Sequence, residues 1–319
     1  MMKEIRLLIG DFAVFARQDA HRWAYVYTAL LLAVVLALMY GTAWGQRFMQ
    51  GMLPLGNPYA NHALRYVGIY FLTLIPTLAL RRDYAALRRP ALYAKALLLT
   101  LLLSFTETFS WQEVLHFDGA ATPTEQRYLL KVLWRTRNLT LVLPVLALLR
   151  MVVDRQVKGL YGLCRGSHHV RAYLWLYVAI VPLLALASLT PDFLAYYPSY
   201  KPWVFGEVFG RLAWLNAAAF ELVYMADFVM VELFFRGALV IGMARLMGRS
   251  AVLPMVAVYV SLHFGKPCLE AVSAAFGGYF LGAVAFQSRH IWGGVIIHMG
   301  IALLIELLRF AEHYALGVG

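Results

Sequence analysis

Residues 226–240 read ADFVMVELFFRGALV, residues 258–267 read VYVSLHFGKP, and residues 295–302 read VIIHMGIA. Each piece is almost wholly apolar, yet between them they carry Glu232, Arg236, His263 and His298. An ionisable side chain inside a membrane-spanning segment is costly, so it normally faces a cavity or a partner. Four such groups on nearby apolar segments point to one polar site enclosed by helices. On a helix, Glu232 and Arg236 lie four apart on one face and can pair directly, which by itself need only hold the helix in place. His263, near the end of a short apolar run, reads alone as a packing residue. His298 sits close to the middle of its run, where an idle imidazole is harder to accommodate. Two imidazoles and a carboxylate suffice to activate a water.

The rest of the composition supports a setting in lipid. The 319 residues are 62% hydrophobic and 14% charged, with a mean hydropathy of +0.67. A soluble domain cannot bury that much apolar surface, so the chain reads as an all-α, polytopic helical membrane bundle. A net charge of +11 would suit nucleic acid, but the Lys and Arg sit in short loops between apolar runs. There they set topology, and no nucleic-acid partner is expected. Cys164 and Cys268 are far apart and have no ligand spacing, which argues against a disulfide framework or a thiolate metal site. Residues 1–22 are charged and do not read as a cleavable signal peptide.

In chain order, residues 2–17 space Ile5, Leu8, Ile9, Phe12 and Phe15 as an interfacial amphipathic helix. Eight or nine spans follow, and nine suit the loop charges: Trp23–Trp44, Tyr66–Leu80, Ala91–Trp111, Asn138–Val153, Ala172–Leu189, 219–246, Ala251–Phe264, Glu270–Gln287 and Ile291–Phe310. A peripheral helix is expected over 206–218 and a polar loop over 112–137. The adjacent His168 and His169 read as loop residues, since neighbours point apart and make a poor metal pair. The expected division is 1–218, N-terminal transmembrane helices, and 219–319, a core carrying the polar site. The basic loops 81–90, 150–171, 245–250 and 287–290 alternate with loops poor in Lys and Arg, which places the N-terminus in the cytoplasm.

ELFFRG at 232–237, a span ending in His263, and His298 in the next span but one resemble the CPBP family of intramembrane proteases. That family includes the CAAX prenyl endopeptidases and bacteriocin-processing or immunity proteins. Its pattern is EExxxR, FxxxH and HxxxN on successive helices around a water-filled cavity. Glu232 and Arg236 match the second Glu and the Arg, and His263 and His298 match the histidines. The resemblance covers about 219–305. It implies an intramembrane endopeptidase, a hydrolase of metalloprotease type, acting on a membrane-associated peptide or protein at the bilayer of a bacterial inner (cytoplasmic) membrane. The implied catalytic residues are Glu232, Arg236, His263 and His298, with a divalent metal such as zinc on His263 and His298.

The sequence departs from that pattern at three positions. Val231 stands where the family has its first Glu, the residue assigned as water-activating base; Tyr259 replaces Phe, and Ala302 replaces the Asn that helps hold the oxyanion. Asp227, one turn before Val231, is the candidate replacement base. The alternative is a non-catalytic membrane scaffold or immunity-type binding protein on the same fold. A solute transporter is a poorer fit, because inverted repeats and paired broken helices are lacking.

Overall fold

Apolar runs in hydrocarbon become helices because their backbone groups have no water to bond and must satisfy one another. The computed structural model describes residues 2–19, 21–49, 56–115, 122–164 and 170–316. Among these the chain is helical throughout, and the only β contacts are the isolated bridges Leu160–Leu163 and Val208–Arg211. The molecule is a helical membrane bundle. Among the described residues six helices are long and apolar enough to cross a bilayer: Arg22–Gly41, Pro58–Leu80, Pro90–Thr108, Arg171–Ser188, Cys268–Ser288 and Trp292–Ala315. A seventh span results if Pro123–Arg135 and Asn138–Val152, bent by 43°, count as one.

Neither 219–246 nor 251–264, both expected to span, is among these helices, and the expectations for 206–218 and 112–137 also change. The run expected to span at 251–264 forms the helix Val252–Leu262, only 11 residues and about 16 Å long. Every residue from Val252 to Ser261 is buried. It is apolar all round because it is the centre of the bundle, packed by the helices Pro58–Leu80 and Cys268–Ser288. The peripheral helix at 206–218 is absent as such: one helix runs Ala213–Glu232, straight across the expected division at 218/219. The loop expected over 112–137 contains the helix Pro123–Arg135, started by a capping box between Thr122 and Glu125. The Thr122 backbone and hydroxyl bonds hold the exposed Glu125 carboxyl below its usual range. His168 and His169 lie outside the described residues.

Other expectations reappear with new partners. The amphipathic pattern at the N-terminus forms the helix Met2–Gln18, and its apolar face docks on the Cys268–Ser288 helix. Phe12 meets Tyr279 and Phe280, and Phe15 meets Tyr279 and Phe286. The small residues four apart on Cys268–Ser288 admit the central helix: a Cβ on Gly278 would crowd the Tyr259 ring. One apolar core joins residues from both sides of the 218/219 division, Tyr66, Tyr70 and Leu99 among them with Phe235, Val258 and Tyr259.

The helix that carries ELFFRG changes pitch at that motif. Ala213–Glu232 is α-helical and Leu233–Gly242 is π-helical, every residue of the latter buried. Wide π turns are often found at functional sites. Lys95 clamps the far end of this segment, its Nζ donating to the Gly242 carbonyl at 2.7 Å and to Asp154 at 2.5 Å. Tyr161 donates to the same carboxylate. Buried charges this well paired fix the height and rotation of the segment that presents Glu232 and Arg236.

Candidate functional site

Three segments deliver the polar groups. Glu232 is the last α-helical residue before the π segment and Arg236 lies one turn on. His263 caps the buried helix Val252–Leu262, and His298 sits on the helix Trp292–Leu316. Arg236 Nη1 donates to Glu232 Oε1 at 2.8 Å, and His298 Nδ1 lies 3.0 Å from the same oxygen. A carboxylate only accepts, so His298 carries its proton on Nδ1 and presents a lone pair at Nε2. The Tyr259 hydroxyl meets that nitrogen at 3.3 Å. His263 Nδ1 donates to the Tyr259 carbonyl at 2.8 Å, which leaves its Nε2 as an acceptor. All four expected residues are thereby linked through Tyr259, whose ring also lies 4.3 Å beneath the Arg236 guanidinium.

Burial orders these groups. The Glu232 side chain has 0% exposure and Arg236 1%, whereas His298 retains 14%. The inner pair therefore supports, and the imidazole is the group that can be reached. Glu232 Oε2 has no hydrogen-bond partner among the described residues, and it lies against Gly294, where any Cβ would overlap the carboxylate. That glycine lets the Trp292–Leu316 helix approach closely enough for His298 to reach Glu232. Phe228 closes one side of the imidazole, with ring centroids 4.5 Å apart.

Asp227 is not part of this arrangement. Its carboxylate accepts from Asn138 Nδ2 at 2.7 Å, on the neighbouring π-helical turn Asn138–Val142. Val231 packs against the main apolar core, and Ala302 belongs to a separate apolar cluster with Phe220 and Phe228. Glu107 pairs with Arg137 at 3.6 Å.

Three contributors escaped the sequence reading. Glu270 stands 3.8 Å from His263 Nε2 and accepts from Lys266 at 2.8 Å and from the Tyr197 hydroxyl at 2.9 Å. Burial opposes the Lys266 charge, but Glu270 together with Tyr224 and Tyr196 outweighs it and holds the ammonium above the ordinary lysine range. Tyr40 donates to the carbonyls of His263 and Lys266 at 3.0 and 2.9 Å, fixing the turn between them. The signal for Glu270 was present, since it is an ionisable residue in the first turn of an apolar helix. In sequence Tyr259 is only a substitute for Phe, because its hydroxyl matters once His298 lies beside it.

The donor set does not fit a metal centre. A catalytic zinc site uses three protein ligands, and no group of three His, Cys, Asp or Glu arranged to hold an ion occurs among the described residues.

No curated protein and no solved structure matches the chain. Residues 212–304 do match a family model, described as Type II CAAX prenyl endopeptidase Rce1-like. The matched stretch contains Glu232, Arg236, Tyr259, His263, Glu270 and His298, so over residues 212–304 the chain is similar to the Rce1-like endopeptidases.

Proposed function

We propose that the chain is an intramembrane endopeptidase of the CPBP type, cleaving a membrane-associated peptide or protein, with His298 in place of the absent glutamate base. The observation that carries this reading is the single bonded chain Arg236–Glu232–His298–Tyr259. A carboxylate behind Nδ1 fixes the tautomer, turns Nε2 toward the reacting atoms and stabilises the imidazolium that forms. His298 Nε2 takes a proton from water as the water attacks the scissile carbonyl, then returns it to the leaving amine. The Tyr259 hydroxyl shifts from His298 to the developing oxyanion, the task for which Ala302 has no donor. His263 Nε2 positions the water, and Arg236 holds the Glu232 carboxylate in place.

Two substitutions test the assignment of roles. Tyr259→Phe should reduce cleavage of a membrane-anchored peptide about 10²–10³-fold, the usual cost of one oxyanion donor. Asp227→Asn should leave the rate within about twofold, because the carboxylate bonds Asn138 and none of the bonds of the Arg236–Glu232–His298–Tyr259 chain involves it. The opposite pattern, with Asp227→Asn inactive and Tyr259→Phe active, would return the base to Asp227.

A second reading, a non-catalytic scaffold or immunity-type binding protein, is favoured by Val231, whose side chain fills apolar space where the family places a carboxylate. In that reading the wild type cleaves nothing, and the Arg236–Glu232–His298 chain serves only packing.

The proposed orientation has the N-terminus in the cytoplasm. Residues from three segments expected or found at the basic face, Arg17 to Asp19 with His21, Arg81 to Arg89, and Arg245 to Ser250, line one cavity and so share one end of the bundle. In a background lacking Cys164 and Cys268, Arg88→Cys should resist an impermeant thiol reagent in intact cells and Asp192→Cys should react. Both positions are exposed, so labelling of Arg88→Cys from outside would invert the topology.

A further inference from the structure

A concavity apart from His263 and His298 lies among the arginine-bearing turns. It encloses about 750 Å³ and is lined by Arg17, Arg81, Arg82, Arg89, Arg245 and Arg249. These come from three separate stretches: the end of the first helix, the turn after Pro58–Leu80, and the turn after the π segment. Loop arginines that merely set topology are ordinarily splayed into solvent. Here three are held in position. Arg81 is clamped by Asp19, Arg89 donates to the carbonyls of Arg245 and Leu246 at 3.2 Å each, and Arg249 donates to Gln18.

The acids in the cavity do not neutralise it. Asp19 is consumed by Arg81 and Tyr25, and Asp83 caps the short helix Tyr84–Leu87 by accepting from Ala86. Arg17, Arg82, Arg89 and Arg245 are exposed and form no ion pair with a described acidic residue. Buried Nε groups of Arg81 and Arg249 are without a hydrogen-bond partner among the described residues. Convergent, pre-positioned guanidinium groups with unspent donors match the geometry of a phosphate group, whose oxygens accept paired N–H bonds. Like charges gathered in one concavity repel, and a bound anion relieves that cost.

We propose that this arginine-lined cavity is a binding site for a phosphate-bearing anion, supplied either by an anionic phospholipid headgroup or by a soluble phosphate. At the end of a membrane bundle, a basic pocket between helices is placed for a headgroup, and its volume admits one. The site is separate from the hydrolytic one and stands whether or not that one is active.

The test uses the full chain in non-ionic detergent at fixed ionic strength. Short-chain phosphatidylglycerol binding is read by native mass spectrometry, with phosphatidylcholine of the same chain length as reference. Inorganic phosphate binding is read by equilibrium dialysis. Phosphatidylglycerol should bind in preference to phosphatidylcholine, and Arg89→Gln with Arg245→Gln should weaken it about tenfold or more. Arg17→Gln with Arg82→Gln, a second pair lining the cavity, should do the same and guards against one pair failing to fold. Binding of phosphatidylglycerol that inorganic phosphate does not displace assigns the site to the lipid. Saturable phosphate binding lost in both variants, without lipid preference, assigns it to a soluble anion. If neither probe binds above the phosphatidylcholine level, or if both double variants bind as the wild type does, the proposal is overturned.

Discussion

Glu232→Ala should sharply lower the folded yield, and should do so more than the double change Glu232→Ala with Arg236→Met. Arg236 is 1% exposed and its only described carboxylate partner is Glu232. Removing that partner leaves a guanidinium charged and unpaired in apolar surroundings, a situation that costs about 3–5 kcal/mol in buried pairs. Replacing both by apolar groups removes the stranded charge, and in other buried pairs that change is near neutral. Here the double variant still leaves His298 without its acceptor, so it should recover most, not all, of the yield. Monodisperse protein after detergent extraction is the readout. If the double variant is no better than the single one, the pair is not stabilised as the burial implies.

The second large effect is chemical. His298→Ala should reduce peptide cleavage about 10²–10⁴-fold, the range for loss of a general base. Because His298 is the outermost of the linked groups and retains 14% exposure, its loss should disturb folding far less than the loss of Glu232. Glu232→Gln is the companion test. It keeps the shape of the side chain but weakens the anchor at Nδ1, so it should lower the rate without abolishing it. Combining it with His298→Ala should add little further loss, since groups that act as one unit are non-additive.

Much of this site was legible before any coordinates. Ionisable residues in apolar helices have few places to go, so Glu232, Arg236, His263 and His298 could be assigned to one cavity from their cost alone. Their convergence is found in the bonds through Tyr259. What periodicity could not reveal was the depth of each helix. Val252–Leu262 reads like a short span because a buried core helix and a membrane helix are both apolar all round. Only its neighbours distinguish them. The helix Pro123–Arg135 was hidden for the opposite reason, its polar face resembling a loop until the Thr122–Glu125 cap is recognised. Asp227 illustrates the limit of spacing arguments. It lies near Val231 along the helix, yet Asn138 on a different segment claims it. Gly294 could not be read at all, since its role is the absence of a side chain facing Glu232.

The most direct measurement is cleavage of a panel of membrane-anchored peptides, by wild type and His298→Ala purified in the same lipid. The proposed chemistry predicts that at least one peptide is cut by the wild type, and that His298→Ala reduces its cleavage about 10²-fold or more. A wild type that leaves every peptide intact, or cleavage that survives His298→Ala, would contradict it.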